Sequence, residues 1–115
     1  MSRKNLRPSH PNRSSHAVLF AALGDKTRLA LVARLSAGQP ASISQLTRGT
    51  RLTRQAVTKH LRVLQRAAIV HSARFGREAI FSLDPEPMRQ MQEYLDRVSR
   101  QWDQALARLK AFVEE

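Results

Sequence analysis

Ser42 and Gln45 stand three residues apart, Gly49 follows four residues later, and Thr53 opens a run whose apolar residues recur at helical spacing. That order leaves the chain little freedom. A Ser-x-x-Gln capping box starts a short helix at Ser42, with Ile43 and Leu46 inward, and Gly49 closes it. Thr53 caps the next helix, and Leu52 and Val57 take the places of a hydrophobic staple at its start. Two helices joined by a short glycine-containing turn form a helix-turn-helix unit.

The second helix of that pair carries two opposed stripes. Val57, Leu61, Leu64 and Ala68 fall at i, i+4, i+7 and i+11 and predict a narrow buried face. Gln55, Lys59, Arg62 and Arg66 occupy the other side, flanked by Thr58, with Arg54 at the N-terminal end. The period then changes. Ile69, Val70, Ile80 and Phe81 favour strands over 69–75 and 78–83. Gly76-Arg77 fits a two-residue hairpin turn with glycine first, and Arg74 and Arg77 flank its tip.

Upstream, a first helix is predicted from about Ser15 to Leu23, with Val18, Leu19, Ala22 and Leu23 as its apolar positions and Gly24 ending it. Asp25 caps a second helix whose inward residues are Leu29, Val32, Ala33 and Leu35, stopped by Gly38 and Pro40. Downstream, Asp84-Pro85 joins a capping carboxylate to proline at the first helical position. From Met88 a seven-residue apolar repeat runs to the end. One seam is Met88, Leu95, Trp102 and Leu109; the other is Met91, Val98, Ala105 and Phe112. Such a helix packs along another long helix. Residues 1–14 are polar and basic with two prolines, which predicts a disordered arm, either a solvated tail or a DNA-touching one.

The 115 residues suit one domain with a thin core. Net charge is +11, and it is uneven: residues 51–83 hold Arg51, Arg54, Lys59, Arg62, Arg66, Arg74 and Arg77 against Glu78, whereas residues 84–115 are net acidic. A polyanionic partner should meet the middle of the chain. A helix fits the major groove of B-DNA, and its N-terminal residues reach base edges. Thr53, Arg54, Gln55, Thr58 and Lys59 occupy that end and are the expected DNA contacts there; arginine pairs bidentately with guanine and glutamine with adenine. Arg62 and Arg66 are placed for phosphates. Arg74 and Arg77 reach an adjacent minor groove or backbone. The helix start at Ser42 offers backbone N–H groups to a phosphate. The partner read from these residues is double-stranded DNA.

These residues together resemble the ArsR-type family of winged-helix repressors. Phe20-Ala21-Ala22-Leu23-Gly24-Asp25-Lys26-Thr27-Arg28-Leu29 is similar to the family's opening F-x-x-L-G-D-P-T-R-L, with Lys26 for proline. Thr58-Lys59-His60-Leu61-Arg62-Val63-Leu64 resembles S-R-H-L-K-V-L, and Ala67-Ala68-Ile69-Val70 resembles A-G-L-V, with Ala68 for glycine. Phe75-Gly76-Arg77 resembles the hairpin's R-x-G-R. The resemblance implies a mainly α fold with a small β-hairpin, a winged helix-turn-helix with a long C-terminal dimerisation helix. It implies a recognition helix near 53–67, a wing near 69–83 and a dimerisation helix near 85–113, within a domain spanning 15–115. It also implies a homodimeric repressor whose first and last helices form the interface, here Val18, Leu19, Leu23, Met91, Leu95, Val98, Trp102, Leu106 and Leu109. The family's matching histidine places His60 near the DNA backbone; from the residues alone His60 fits a buried helix position or a phosphate contact. His71 reads as a strand surface residue.

Many family members release DNA on binding metal, and there the resemblance breaks. The third-helix site needs a cysteine pair, and this chain has Ser42, Ile43 and Ser44 and no cysteine at all. The last-helix site needs histidine with acids, and residues 84–115 contain no histidine. Trp102-Asp103 with Leu106, Leu109 and Lys110 resembles a metal-free branch, so neither metal nor cofactor is expected. Trp102 fits a seam core position or a ligand pocket. Without a cysteine nucleophile, a glycine-rich phosphate loop or paired carboxylates beside a histidine, no enzyme is expected. No apolar run spans a membrane and no signal peptide is read, so a cytoplasmic protein is expected. Two alternatives stay open: a non-specific architectural nucleic-acid binder, and a winged helix used only for protein contacts.

Overall fold

The computed structural model describes residues 15–114. The basic arm at 1–14 lies outside the described residues. Five helices and three strands follow in order: α1 Ser15–Leu23, α2 Lys26–Ala37, β1 Ala41–Ser42, α3 Ile43–Thr47, α4 Arg54–Arg66, β2 Val70–Phe75, β3 Glu78–Leu83 and α5 Pro85–Glu114. This is a winged helix-turn-helix with a long C-terminal helix.

The local start signals act as their chemistry dictates. Asp25 accepts the Arg28 N–H at 3.0 Å and caps α2. At α3 the capping box is reciprocal: Gln45 N–H donates to Ser42 Oγ at 3.2 Å, and Ser42 N–H donates to Gln45 Oε1 at 2.9 Å. Thr53 Oγ1 accepts the Ala56 N–H at 3.0 Å and starts α4. Asp84 Oδ1 accepts the Glu86 N–H at 2.9 Å ahead of α5. Gly76 sits at φ 65 in the turn that closes the Phe75↔Glu78 pair. Arg77 stays out of the left-handed region, so the turn is the glycine-first hairpin type.

The core gathers Leu19 and Ala22 from α1, Leu31 and Leu35 from α2, Leu46 from α3, Val57, Leu61 and Leu64 from α4, then Ile69, Val70, Phe81 and Met91. Truncating a fully buried leucine here, Leu61 or Leu64, removes about 2–5 kcal/mol.

The structure corrects three expectations. The sheet has three strands in the order β1-β3-β2, because Ala41 pairs with Phe81 and Ser42 with Ile80. On α2 the buried stripe is Leu31 and Leu35, while Leu29 is 53% exposed and Ala33 also faces water. Six apolar residues in eight positions there offer two competing stripes, and contact with α4 and β3 selects the one through Leu31. Third, Ala68 does not continue the buried stripe of α4. The helix ends at Arg66, and Ala68 is exposed at φ 64. Its N–H donates to Gln65 O at 2.9 Å and the Ile69 N–H to Leu64 O at 2.9 Å. That pair of bonds is a Schellman close, with Leu64 and Ile69 as its buried hydrophobic contact.

Along α5 the first turns, with Pro87, Met88 and Met91, pack on the domain. Tyr94 stacks on His16 of α1 with ring centres 4.5 Å apart and meets Phe20 at 5.8 Å. The remaining turns project from the domain, on a helix about 45 Å long.

Candidate nucleic-acid interface

The outer face of α4 is built by the inner one. With Val57, Leu61 and Leu64 fully buried, residues half a turn away must face water. Gln55, Lys59, Arg62 and Arg66 are all exposed there. Thr58 is half-buried at the edge of that face, and its hydroxyl donates to the Arg54 carbonyl at 2.7 Å. Arg74 and Arg77 are exposed at the tip of the hairpin. The helix and the hairpin are joined by Gln65, whose Nε2 donates to Ser72 Oγ of β2 at 3.1 Å.

Three expected contact residues stand elsewhere. Ser42 is only 4% exposed, and both its hydroxyl and its N–H are used in the capping box. Its own N–H and hydroxyl oxygen are therefore taken up by the cap. Arg54 is exposed but turned onto α3, where Nη1 donates to Ser44 Oγ. His60 leaves the outer face altogether. Its Nδ1 lies 3.2 Å from Arg28 Nη1 and 3.7 Å from Asp25 Oδ2. Guanidinium can only donate, so Nδ1 accepts, which puts the neutral ring's proton on Nε2. Arg28 also donates through Nε to the Ala22 carbonyl at 2.6 Å, closing the end of α1. The Asp25 carboxyl is held below its ordinary range, first by the hydrogen bond from the Arg28 N–H and also by the Arg28 charge. These three polar residues lock α1, α2 and α4 together behind the basic face.

A second lock was not read from the sequence. Arg34 of α2 donates to the carbonyls of Leu46 at 2.8 Å and Gln45 at 2.9 Å, so its planar fork caps the C-terminus of α3. It sets the turn between α3 and α4. The only signal was a basic residue in the last turn of α2, which carries no partner information.

Of the residues expected at a dimer interface, Leu19 and Met91 are in the protomer's own core, 2% and 4% exposed, so they are not free to meet a second chain. Leu23 is half-buried against the same core. Val18, Leu95, Val98, Trp102, Leu106 and Leu109 are exposed, Trp102 by 64%, so Trp102 is not core within one protomer.

A helix-turn-helix domain family matches residues 23–73, which spans α2 to α4 and most of β2. The chain is 38% identical to the HTH-type transcriptional regulator Rv2034 of Mycobacterium tuberculosis over 87 residues, covering 76% of this chain and 78% of that protein. An ArsR-like transcriptional regulator from Rhodococcus sp. RHA1 superposes with a TM-score of 0.74 at 32% identity, covering 87% of this chain and 93% of the other. The chain belongs to the ArsR-type family of transcriptional regulators.

It is therefore a DNA-binding regulator of transcription, and the family is one of regulators, not enzymes. The winged helix-turn-helix DNA-binding domain of a possible ArsR-family regulator from Mycobacterium bovis shares the fold at a TM-score of 0.62 and 15% identity, over 79% of this chain and 84% of that one. The ArsR-type signatures fall on the scaffold as much as on the outer face: Asp25, Arg28 and His60 all belong to the polar lock.

Proposed function

We propose that the chain represses transcription as a homodimer on a two-fold-symmetric operator. In this reading α4 is the recognition helix, the β2–β3 hairpin is the wing and α5 is the dimerisation helix. Gln55 and Lys59 read base edges near the helix N-terminus. Arg62 and Arg66 hold phosphates, and Arg74 and Arg77 hold the backbone or minor groove beside the half-site. The observation that carries it is the exposed stripe of Gln55, Lys59, Arg62 and Arg66 directly opposite the buried stripe of α4. Repression rests on the resemblance to ArsR-type repressors.

The reading places the protein in the cytoplasm; no described helix is long and apolar enough to cross a membrane. It assigns no metal, because the chain has no thiolate to offer, and it leaves the effector unnamed.

The test uses a duplex enriched by the wild-type protein from a random-sequence pool, beside a scrambled duplex of the same composition. Gln55→Ala and Lys59→Ala should each lose about 1–3 kcal/mol on the enriched duplex and little on the scrambled one. Arg62→Ala should weaken both alike and reduce the salt slope by about one unit. Equal losses on both duplexes for all three variants would replace base reading with non-specific, architectural binding.

A further inference from the structure

We infer that Phe75 is a wedge that enters a base step in the minor groove beside the half-site, a role that rests on the DNA-binding reading above. Phe75 is 66% exposed at the last position of β2. On a hairpin tip among charges, that exposure asks for an occupant.

The other exposed apolar residues do not supply one. Most lie on the projecting part of α5. The hairpin meets the start of α5 at its opposite end, where His71 Nε2 lies 2.6 Å from Asp84 Oδ2. Phe75 is four residues further along the strand, about 13 Å away, and so stands apart from any surface built on α5.

The chemistry of the tip fits a nucleic-acid groove. Arg74 and Phe75 are consecutive in a strand and point to opposite faces, and Arg77 follows in the turn. A minor groove has phosphates along both walls and base edges on its floor. Arginines suit the walls, and an apolar ring suits the floor, where such side chains slip between base steps and unstack them. Glu78 pairs directly opposite Phe75. Its carboxylate is repelled by the phosphates, so the tip's attraction to the groove comes from Arg74 and Arg77, which flank the ring in sequence.

The tip is also held at a fixed offset. The β2–β3 ladder is paired without a break from Val70↔Leu83 to Phe75↔Glu78. Gln65 fastens Ser72 to α4, so the ring stands about 10 Å beyond a point tied to the recognition helix. A wedge needs that rigidity, because unstacking works only if the ring is delivered to one step.

The test places 2-aminopurine at successive adenines of the enriched duplex and reads its fluorescence, which rises on unstacking. Wild-type protein should raise the signal at a step flanking the half-site. Phe75→Ala should abolish the rise and weaken binding roughly tenfold. Phe75→Leu should keep part of the signal, since leucine also serves as a wedge. The ring is exposed, so neither change disturbs the core, and circular dichroism checks that. An unchanged signal in Phe75→Ala, or no rise with wild type, overturns the wedge. Base reading fails separately, through Gln55→Ala and Lys59→Ala showing no preference lost on the enriched duplex.

Discussion

Arg34 Nη1 donates to the carbonyl of Leu46 across 2.8 Å, from α2 to the last turn of α3. With Nη2 on the Gln45 carbonyl at 2.9 Å, one guanidinium satisfies two orphan acceptors of a helix only five residues long. A helix that short has almost no internal ladder, so its position depends on this cap and on Leu46 in the core. The turn into α4, and hence the pose of the outer face, depends on it in the same way.

Arg34→Met should therefore lower stability by about 1–2 kcal/mol, since the stem is kept and only charge-assisted bonds are lost. Arg34→Lys should recover part of it, because a point charge cannot fork onto two carbonyls. Urea unfolding of the three proteins checks the order. If Arg34→Met unfolds at the wild-type midpoint, the cap carries no weight.

Ala68 holds a left-handed backbone at φ 64 where the resembling family motif has glycine. The cost to an L-residue is about 1–2 kcal/mol, partly offset by the lower unfolded-state entropy of alanine. The side chain is exposed, so removing it forfeits no packing. Ala68→Gly should raise stability by about 1 kcal/mol and the melting temperature by a few degrees. Ala68→Val should lower both, because a branched Cβ tolerates positive φ worst. A melt in which glycine does not exceed alanine would refute this account of the α4 close.

The Asp84 carboxyl is held below its ordinary 3.8, first by the Glu86 N–H and then by the hydrogen bond from His71, with Arg89 adding to it. A depressed folded-state value favours the native state wherever the carboxylate is charged. The contribution is present above the unfolded pKa and is lost as pH falls through the folded one. Asp84→Asn should therefore be less stable than wild type at neutral pH, and the gap should close as pH drops below about 4. Denaturant titrations between pH 7 and pH 3 decide it: a gap that persists unchanged to pH 3 means the carboxylate charge is not the cause.

Much of this fold was legible because its punctuation is local. Asp25, Ser42 with Gln45, Thr53 and Asp84 bond to backbone two or three residues away, so spacing alone reveals them. Gly76 is the same kind of signal. What stayed hidden depends on residues far apart in the chain. Ala41-Ser42 is a strand only because β3 lies beside it. Arg34 seeks carbonyls more than ten residues on, and His60 meets Asp25 and Arg28 across thirty or more. The outer face of α4 could be read because exposure follows from the buried stripe. For His60 a buried position and a phosphate contact both stayed open in the sequence, because a polar residue bonded inward has the same letter as one facing out.

The uncovered part of α5 is where a second copy should dock. Leu95, Val98, Trp102, Leu106, Leu109 and Phe112 recur at three- and four-residue steps and are 52%, 38%, 64%, 52%, 57% and 73% exposed. Met91 lies on the same line and is buried by the protomer itself, so the stripe runs unbroken from covered to bare. Bare apolar surface on this scale marks an interaction site, and Val18 of the neighbouring α1, 49% exposed, extends it. A two-fold pair built there would set its recognition helices about 34 Å apart, one turn of DNA. Leu95→Asp puts a charge into that seam without touching the core, and should yield a folded monomer that binds DNA weakly and with strong salt dependence. Trp102→Ala should keep the protomer's stability and weaken the dimer at least tenfold, as truncating a central aromatic anchor does. Sedimentation at micromolar concentration reads both, with Gln55→Ala as a control that stays dimeric. If Leu95→Asp and Trp102→Ala sediment as wild type and hold the enriched duplex equally well, the copies meet through another surface.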